Sequence, residues 1–167
     1  MTLAQRAYVA SMMQVVARGL AAASRIDPVL RQELSGLPTA YRIAMRVWPA
    51  GPVLVLLTTE DGSLRRVQDT ARPNLDIRFK HLAHAFLVLS FQEGTARAFA
   101  NDRMVADGDV AHATRLVRCL NRMESVILPG FVARRAVKRV DAMPAFRRGA
   151  LALRIYAGMA VDLVRMR

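Results

Sequence analysis

The sequence has few residues that form disulfides or bind metals, and it has no long apolar run. Its 167 residues include one cysteine, Cys119, and three histidines. A single cysteine forms no internal disulfide and no cysteine-based zinc site, which agrees with a reducing compartment. No apolar run reaches the roughly 18 residues that span a bilayer, and the start lacks the basic and apolar regions of a signal peptide. We therefore expect a cytoplasmic protein.

Acidic residues are scarce as well. The chain has 25 Lys or Arg against 13 Asp or Glu, a net charge of +12. From Gly130 to the end there are nine basic and two acidic residues, a net +7, which leaves +5 for the first 129 residues. Less than a quarter of the length thus carries more than half of the excess charge. This tail should be attracted to anionic surfaces, either phospholipid or nucleic acid.

The pattern of apolar residues predicts an α+β fold. With 53% hydrophobic residues, the chain can form one good core, so we expect one domain with extensions. Apolar and polar residues alternate from Tyr41 to Val47, which is typical of a strand with one wet face. The turn Glu60–Ser63 suits a hairpin because Asp-Gly tolerates positive φ. Strands are predicted at 41–47, 53–59, 64–70, 75–79 and 104–106.

Helices are predicted before, between and after these strands in the sequence. The segment Leu3–Ser24 is amphipathic, and Asp27-Pro28 starts a second helix that continues to about Leu34. The segment Leu82–Phe91 is apolar nearly all round, so we expect it to be buried on several sides or to line a cavity. Asp109 should cap a long helix. Further helical segments are predicted at 95–101, 110–127, 131–140 and 146–166.

The segment from Arg103 to Pro129 resembles the closing half of sterol-carrier-protein-2-like domains. It contains Arg103-Met104-Val105, then Gly108-Asp109, then a long helix with Glu124 before Pro129. The closest resemblance is to bacterial accessory proteins of ubiquinone synthesis, which hold polyprenyl intermediates or phospholipids. It implies a mixed or antiparallel sheet of about five strands covered by helices. The predicted organisation is a helical leader (1–37), a lipid-binding domain (38–129) and a basic helical extension (130–167).

The resemblance implies a slot for an alkyl chain between the sheet and two apolar helix faces. Each methylene moved from water into such a slot gains about 0.8 kcal/mol, so a long chain binds without a polar anchor. Ordinary core packing explains the same apolar residues equally well. The predicted lining residues are Phe86, Leu89, Phe91, Phe99, Met104, Leu116, Val117, Leu120 and Met123.

Two functions remain open from the sequence. In the first, a non-catalytic lipid carrier shelters an isoprenoid or phospholipid, as an accessory factor in ubiquinone synthesis, and docks on anionic membrane through basic amphipathic helices. In the second, Arg115, Arg118, Arg122 and the basic tail bind RNA or a protein partner, and no lipid is held. A homodimer would also cover the terminal helices. The predicted docking residues are Arg134, Arg135, Lys138, Arg139, Arg147 and Arg154.

No residue pattern indicates catalysis or a cofactor. His81 and His84 have a spacing that suits a metal, but no third ligand follows, so we interpret them as a polar rim. Cys119 is interpreted as a structural thiol. Glu124 lies beside the apolar stripe of its helix, where it either contacts a ligand head group or, as we favour, pairs with an arginine. We expect no enzyme activity, cofactor or metal.

Overall fold

The first part of the fold is a pair of helices joined at Asp27. The computed structural model describes residues 2–68, 71–128 and 143–165, with side chains up to Asp162. Helix α1 (Leu3–Ile26) starts with a capping box, in which the Thr2 hydroxyl accepts from the Gln5 backbone and the Gln5 amide oxygen accepts from Thr2. Asp27 caps helix α2 (Pro28–Leu34). Both predicted helices are confirmed.

Five strands form one mixed sheet. They are β1 (Arg42–Val47), β2 (Val53–Thr58), β3 (Leu64–Val67), β4 (Leu75–Phe79) and β5 (Met104–Asp107). Their order is β3-β2-β1-β4-β5, in which β1 and β4 are parallel and every other neighbouring pair is antiparallel. The predicted α+β class with about five strands is confirmed, and β5 lies at an edge.

The remaining described helices follow β4 and β5. They are α3 (Leu82–Leu89), α4 (Thr95–Ala100), α5 (Val110–Ile127) and α6 (Ala145–Arg165). Helix α3 stops before the predicted end at Phe91, because Phe91 has a φ of 59°, which a right-handed helix does not accept. The helix predicted over 131–140 lies outside the described residues.

The helices in the described part of the chain cover one face of the sheet only. Ile43, Met45, Leu75 and Ile77 point to the same side by register, and they belong to the hydrophobic core. All six helices contribute side chains to this core, whereas the buried Ala44 of the opposite face is outside it. We call the two sides the covered face and the open face.

The open face carries rows of charged residues. Asp76 accepts from Arg46 Nε at 2.7 Å, and Asp107 accepts from Arg78 Nη2 at 3.0 Å. These pairs cross from strand to strand, as expected for a sheet surface that meets water.

The turn before α5 is held tightly against the sheet. The Asp109 carboxylate accepts from the backbone of Ala111 at 2.6 Å and of His112 at 3.2 Å, which confirms the predicted cap. Gly108 has a φ of +135°, and a Cβ placed on it would lie 2.6 Å from the Asn74 carbonyl oxygen. Glycine is therefore required here for both reasons.

Ion pairs join α5 to the N-terminal helices. Arg122 Nε donates to Asp27 Oδ2 at 2.8 Å, and these side chains are only 10% and 1% exposed. Arg115 and Arg118 both approach Glu33, at 3.6 and 3.5 Å. The arginine face of α5 thus packs on α2 and directs its apolar face to the core.

Helix α6 packs on the outside of α1. Ile155 is fully buried, and Gly158 comes so close that an added Cβ would lie 3.2 Å from the Ala22 side chain. Arg25 Nη2 donates to Asp162 Oδ2 at 2.5 Å. Leu153, on the outer side of this helix, is 71% exposed.

Replacing Gly108 with alanine should destabilise the fold by about 2 kcal/mol or more, because the substitution adds a steric clash to an unfavourable φ. Gly62 is the matched control, since its φ is +75° with nothing within 4 Å of an added Cβ. G62A should cost about 1 kcal/mol from the backbone term alone. Equal losses in urea denaturation would show that the approach to Asn74 is unimportant.

Candidate ligand-binding site

Helix α3 is almost entirely apolar and yet only partly buried. Of its eight residues only Ala85 and Leu89 are buried. Leu82, Phe86, Leu87 and Val88 are half-buried. An apolar helix that is not enclosed by the protein exposes surface that another apolar group can cover.

Three of these half-buried residues of α3, Leu82, Phe86 and Val88, belong to a larger apolar layer that lies on the core. Phe86 meets Tyr8 of α1 edge to face, with ring centroids 5.4 Å apart, and the Tyr8 hydroxyl donates to the Leu89 carbonyl at 3.3 Å. These contacts fix α3 against the start of α1. The layer, which we call the apolar layer, consists of Met12, Leu82, Phe86, Val88 and Phe99.

The helical cover is incomplete at the β5 edge. Ala106 pairs with Ile77, so its side chain lies on the covered face. Ile77 is 2% exposed, whereas Ala106 is exposed. The covered face therefore meets solvent at this edge.

The predicted lining residues divide into two groups. Four of them, Phe86, Phe91, Phe99 and Val117, are half-buried and accessible from outside. The others are in the packed core, where they would line only the deep end of a slot; they are Leu89, Met104, Leu116, Leu120 and Met123. The sequence also indicates Met12 as adaptable lining, because methionine side chains fit ligands of varied shape. Leu82 was not among the predicted lining residues, although it stands one helical turn before Phe86.

Glu124 lies on the apolar side of α5, one turn after Leu120. Burial raises its pKa from 4.5 to about 7. The residue still has some accessible surface, so it is not sealed from solvent. The arginine partner that we favoured from the sequence is absent among the described residues, because Arg115 and Arg118 turn to Glu33, and Arg122 turns to Asp27.

The structure also shows the surroundings of Cys119 and of the two histidines, His81 and His84. Cys119 is fully buried, and burial raises its pKa to about 12, so the thiol stays protonated at neutral pH. The rings of His81 and His84 meet edge to face at 5.8 Å. Among the described residues, no group of three or more His, Cys, Asp or Glu side chains could hold a metal ion.

The predicted docking residues are partly visible. Arg147 and Arg154 are exposed on α6. Arg134, Arg135, Lys138 and Arg139 lie outside the described residues. Within the described ranges, no helix is both long enough and apolar enough to span a membrane.

The fold is similar to that of sterol carrier protein 2. A structure named UbiJ-SCP2 ubiquinone synthesis protein has 11% identity and a TM-score of 0.48, covering 70% of this chain and 91% of that one. The sterol carrier protein domain 2 of Helicoverpa armigera has 12% identity and a TM-score of 0.47, covering 81% and 93%. Sterol carrier protein 2 from Yarrowia lipolytica, in its apo form, has 15% identity and a TM-score of 0.45, covering 68% and 91%.

No family model and no curated protein matches the sequence.

Replacing Glu124 with glutamine should stabilise the protein above neutral pH. The folded carboxyl keeps its proton to about pH 7, whereas the unfolded one loses it near 4.5. The folded state therefore binds more protons in this window, and the wild-type free energy of unfolding falls as the pH rises through it. Across the whole window, the wild-type free energy of unfolding should fall by about 3 kcal/mol.

Urea denaturation at pH 4 and pH 8 measures this effect. The free energy of unfolding of E124Q should be higher than that of wild type at pH 8, and this difference should shrink towards pH 4. The exposed Glu60 supplies the control E60Q, which should follow wild type at both values. A gap for E124Q that does not change with pH would contradict the buried carboxyl.

Proposed function

We propose that this protein is a non-catalytic lipid carrier that shelters the apolar part of an isoprenoid or phospholipid. The observation that carries the proposal is the apolar layer, which stays accessible on top of a well-packed core. Covering such a surface with alkyl chain gains about 25 cal/mol for each Å² removed from water. A role in ubiquinone synthesis stays a prediction from the resemblance of the segment Arg103–Pro129, as does the division at residues 37 and 129.

In this proposal an alkyl chain enters beside Ala106, where the cover of the sheet is incomplete. It would lie between the covered face of the sheet and the apolar side of α5, which carries Val117 and Leu120. Glu124 lies on this side of α5 and offers a hydrogen-bond donor when protonated. The slot is thus largely apolar with one polar group, which is typical of lipid sites.

The second part of the proposal is docking on anionic membrane from the cytoplasm, through α6. Phe146 and Leu153 are 75% and 71% exposed, and they lie on one side of the helix, two turns apart. Arg147 and Arg154 flank them. An apolar face with basic flanks is the pattern of helices that lie in a membrane interface.

Charge favours a membrane over a second copy of the chain. Asp162 is the one acidic residue within α6, and it points inward to Arg25. Two α6 helices face to face would bring arginines together, whereas an anionic lipid surface would pair with them.

The alternative is a basic module for RNA or a protein partner, and it is weakened because arginines of α5 contact acidic residues of the protein itself. Arg122 is buried against Asp27, and Arg115 lies against Glu33. These side chains contribute to the contact between α5 and α2.

Replacing Val117 with arginine should reduce lipid binding by about tenfold or more, since a charge in an apolar slot is costly. The measurement is uptake of pyrene-labelled phosphatidylglycerol from phosphatidylcholine vesicles, with mass spectrometry of lipid copurified with the native protein. Val110 provides the matched control V110R, because it is 78% exposed at the start of the same helix. Native protein that is empty and takes up no lipid would refute the carrier function.

Replacing Phe146 and Leu153 together with serine should weaken flotation with vesicles that contain 30% phosphatidylglycerol, because the apolar contact is lost. The control is V29S on α2, which removes an exposed valine from a different helix. Wild type should float less at high salt and should prefer the vesicles to RNA in competition. Unchanged flotation of the double variant would exclude α6 as the docking helix.

A further inference from the structure

The open face of the sheet ends in an exposed tryptophan. Trp48 directly follows β1, is 59% exposed and is the one tryptophan in the sequence. Its backbone N–H donates to the Phe79 carbonyl at 2.9 Å, which ties this end of β1 to the end of β4. A large aromatic side chain exposed at the end of a rigid strand is a common element of binding sites.

Two adjoining grooves meet at this tryptophan. The larger one, about 520 Å³, is lined by Trp48, Arg78, Lys80, His81 and Val105. The smaller one, about 250 Å³, shares Trp48 and His81 and continues to Arg6, Leu82 and the turn 49–51. We call both together the Trp48 groove. Its volume lies in the range of small-molecule sites.

The lining of the Trp48 groove has charges of one sign. Among the described residues that line it are three cations, Arg6, Arg78 and Lys80, and no aspartate or glutamate. Arg6 Nη2 donates to the Ala50 carbonyl at 2.9 Å. Arg78 is held by Asp107 and also lies 3.6 Å from the Asp76 carboxylate. Lys80 pairs with Asp102, which is 79% exposed, so this pair opens at little cost.

The start of α3 adds to the positive potential. His81 is its N-cap and makes no side-chain capping hydrogen bond. The positive end of the helix dipole therefore lies at the groove without a capping carboxylate, and it favours an anion.

We propose that the Trp48 groove binds a small ligand in which a carboxylate or phosphate is attached to a flat aromatic body. The aromatic part would contact Trp48 and Val105, and the anionic part would accept hydrogen bonds from Lys80 and Arg78. The larger groove is distinct from the lipid slot, because its residues of β4 and β5 lie on the open face and the slot lies on the covered face. The smaller groove reaches Leu82, at the margin of the apolar layer.

The single tryptophan makes the test direct. In a ¹⁵N-labelled full-length protein the indole N–H of Trp48 gives one signal, and 2-naphthoate should shift it in a saturable way. The neutral 2-naphthamide has the same ring system and should bind about tenfold more weakly, because it lacks the charge. Inorganic phosphate alone separates the contribution of the anion from that of the ring.

The variant K80Q should weaken 2-naphthoate binding about tenfold, with the rest of the spectrum retained. R65Q is the control, since Arg65 is exposed on the same open face but on β3, three strands from β4. The proposal is overturned if the Trp48 signal does not respond, if the amide binds equally, or if R65Q and K80Q behave alike. Shifts confined to covered-face residues would place the probe in the lipid slot and also overturn it.

Discussion

The structure depends on one constraint, which is that the helices of the described residues cover a single face of a five-stranded sheet. These six helices contribute to one core with Ile43, Ile77 and Leu116. The parallel pairing of β1 and β4 requires a crossover between them, and the β2–β3 hairpin lies within that crossover. Helix α6 lies outside α1 rather than on the sheet, and the cover ends where the inner helices end. The accessible apolar layer and the exposed Ala106 follow from this limit.

The distribution of polar partners separates rigid from adaptable regions. Asp27, almost fully buried, both caps α2 and binds Arg122, so α1, α2 and α5 meet at one ion pair. Removing one member of a buried pair leaves an uncompensated charge, which makes this junction costly to disturb. The α3 and α4 region has no comparable pair to α5 among the described residues. Any separation of layers would therefore occur more readily near Phe86 and Phe99 than at the α2–α5 contact.

Local features were well predicted from the sequence. Alternation located β1 to within one residue, and the Gly108-Asp109 turn and its cap needed only neighbouring residues. Features that depend on distant residues were not predictable. Glu33 and Asp27 draw the arginines of α5 away from Glu124, across more than 80 positions in the sequence. The Trp48 groove requires β1 and β4 to end side by side. On α6, apolar residues occupy both the inner and outer sides, so periodicity alone did not separate Ile155 from Leu153.

The close packing of Gly158 on Ala22 has a geometric consequence. A helix that fits its neighbour this closely, and is also tied by the Arg25–Asp162 pair, has little freedom to roll about its own axis. The direction in which Phe146 and Leu153 point is therefore set relative to α1, and through α1 relative to the sheet. Contact with a bilayer through α6 would hold the molecule at one tilt, so that the β5 edge stands at a constant height and angle above the lipid.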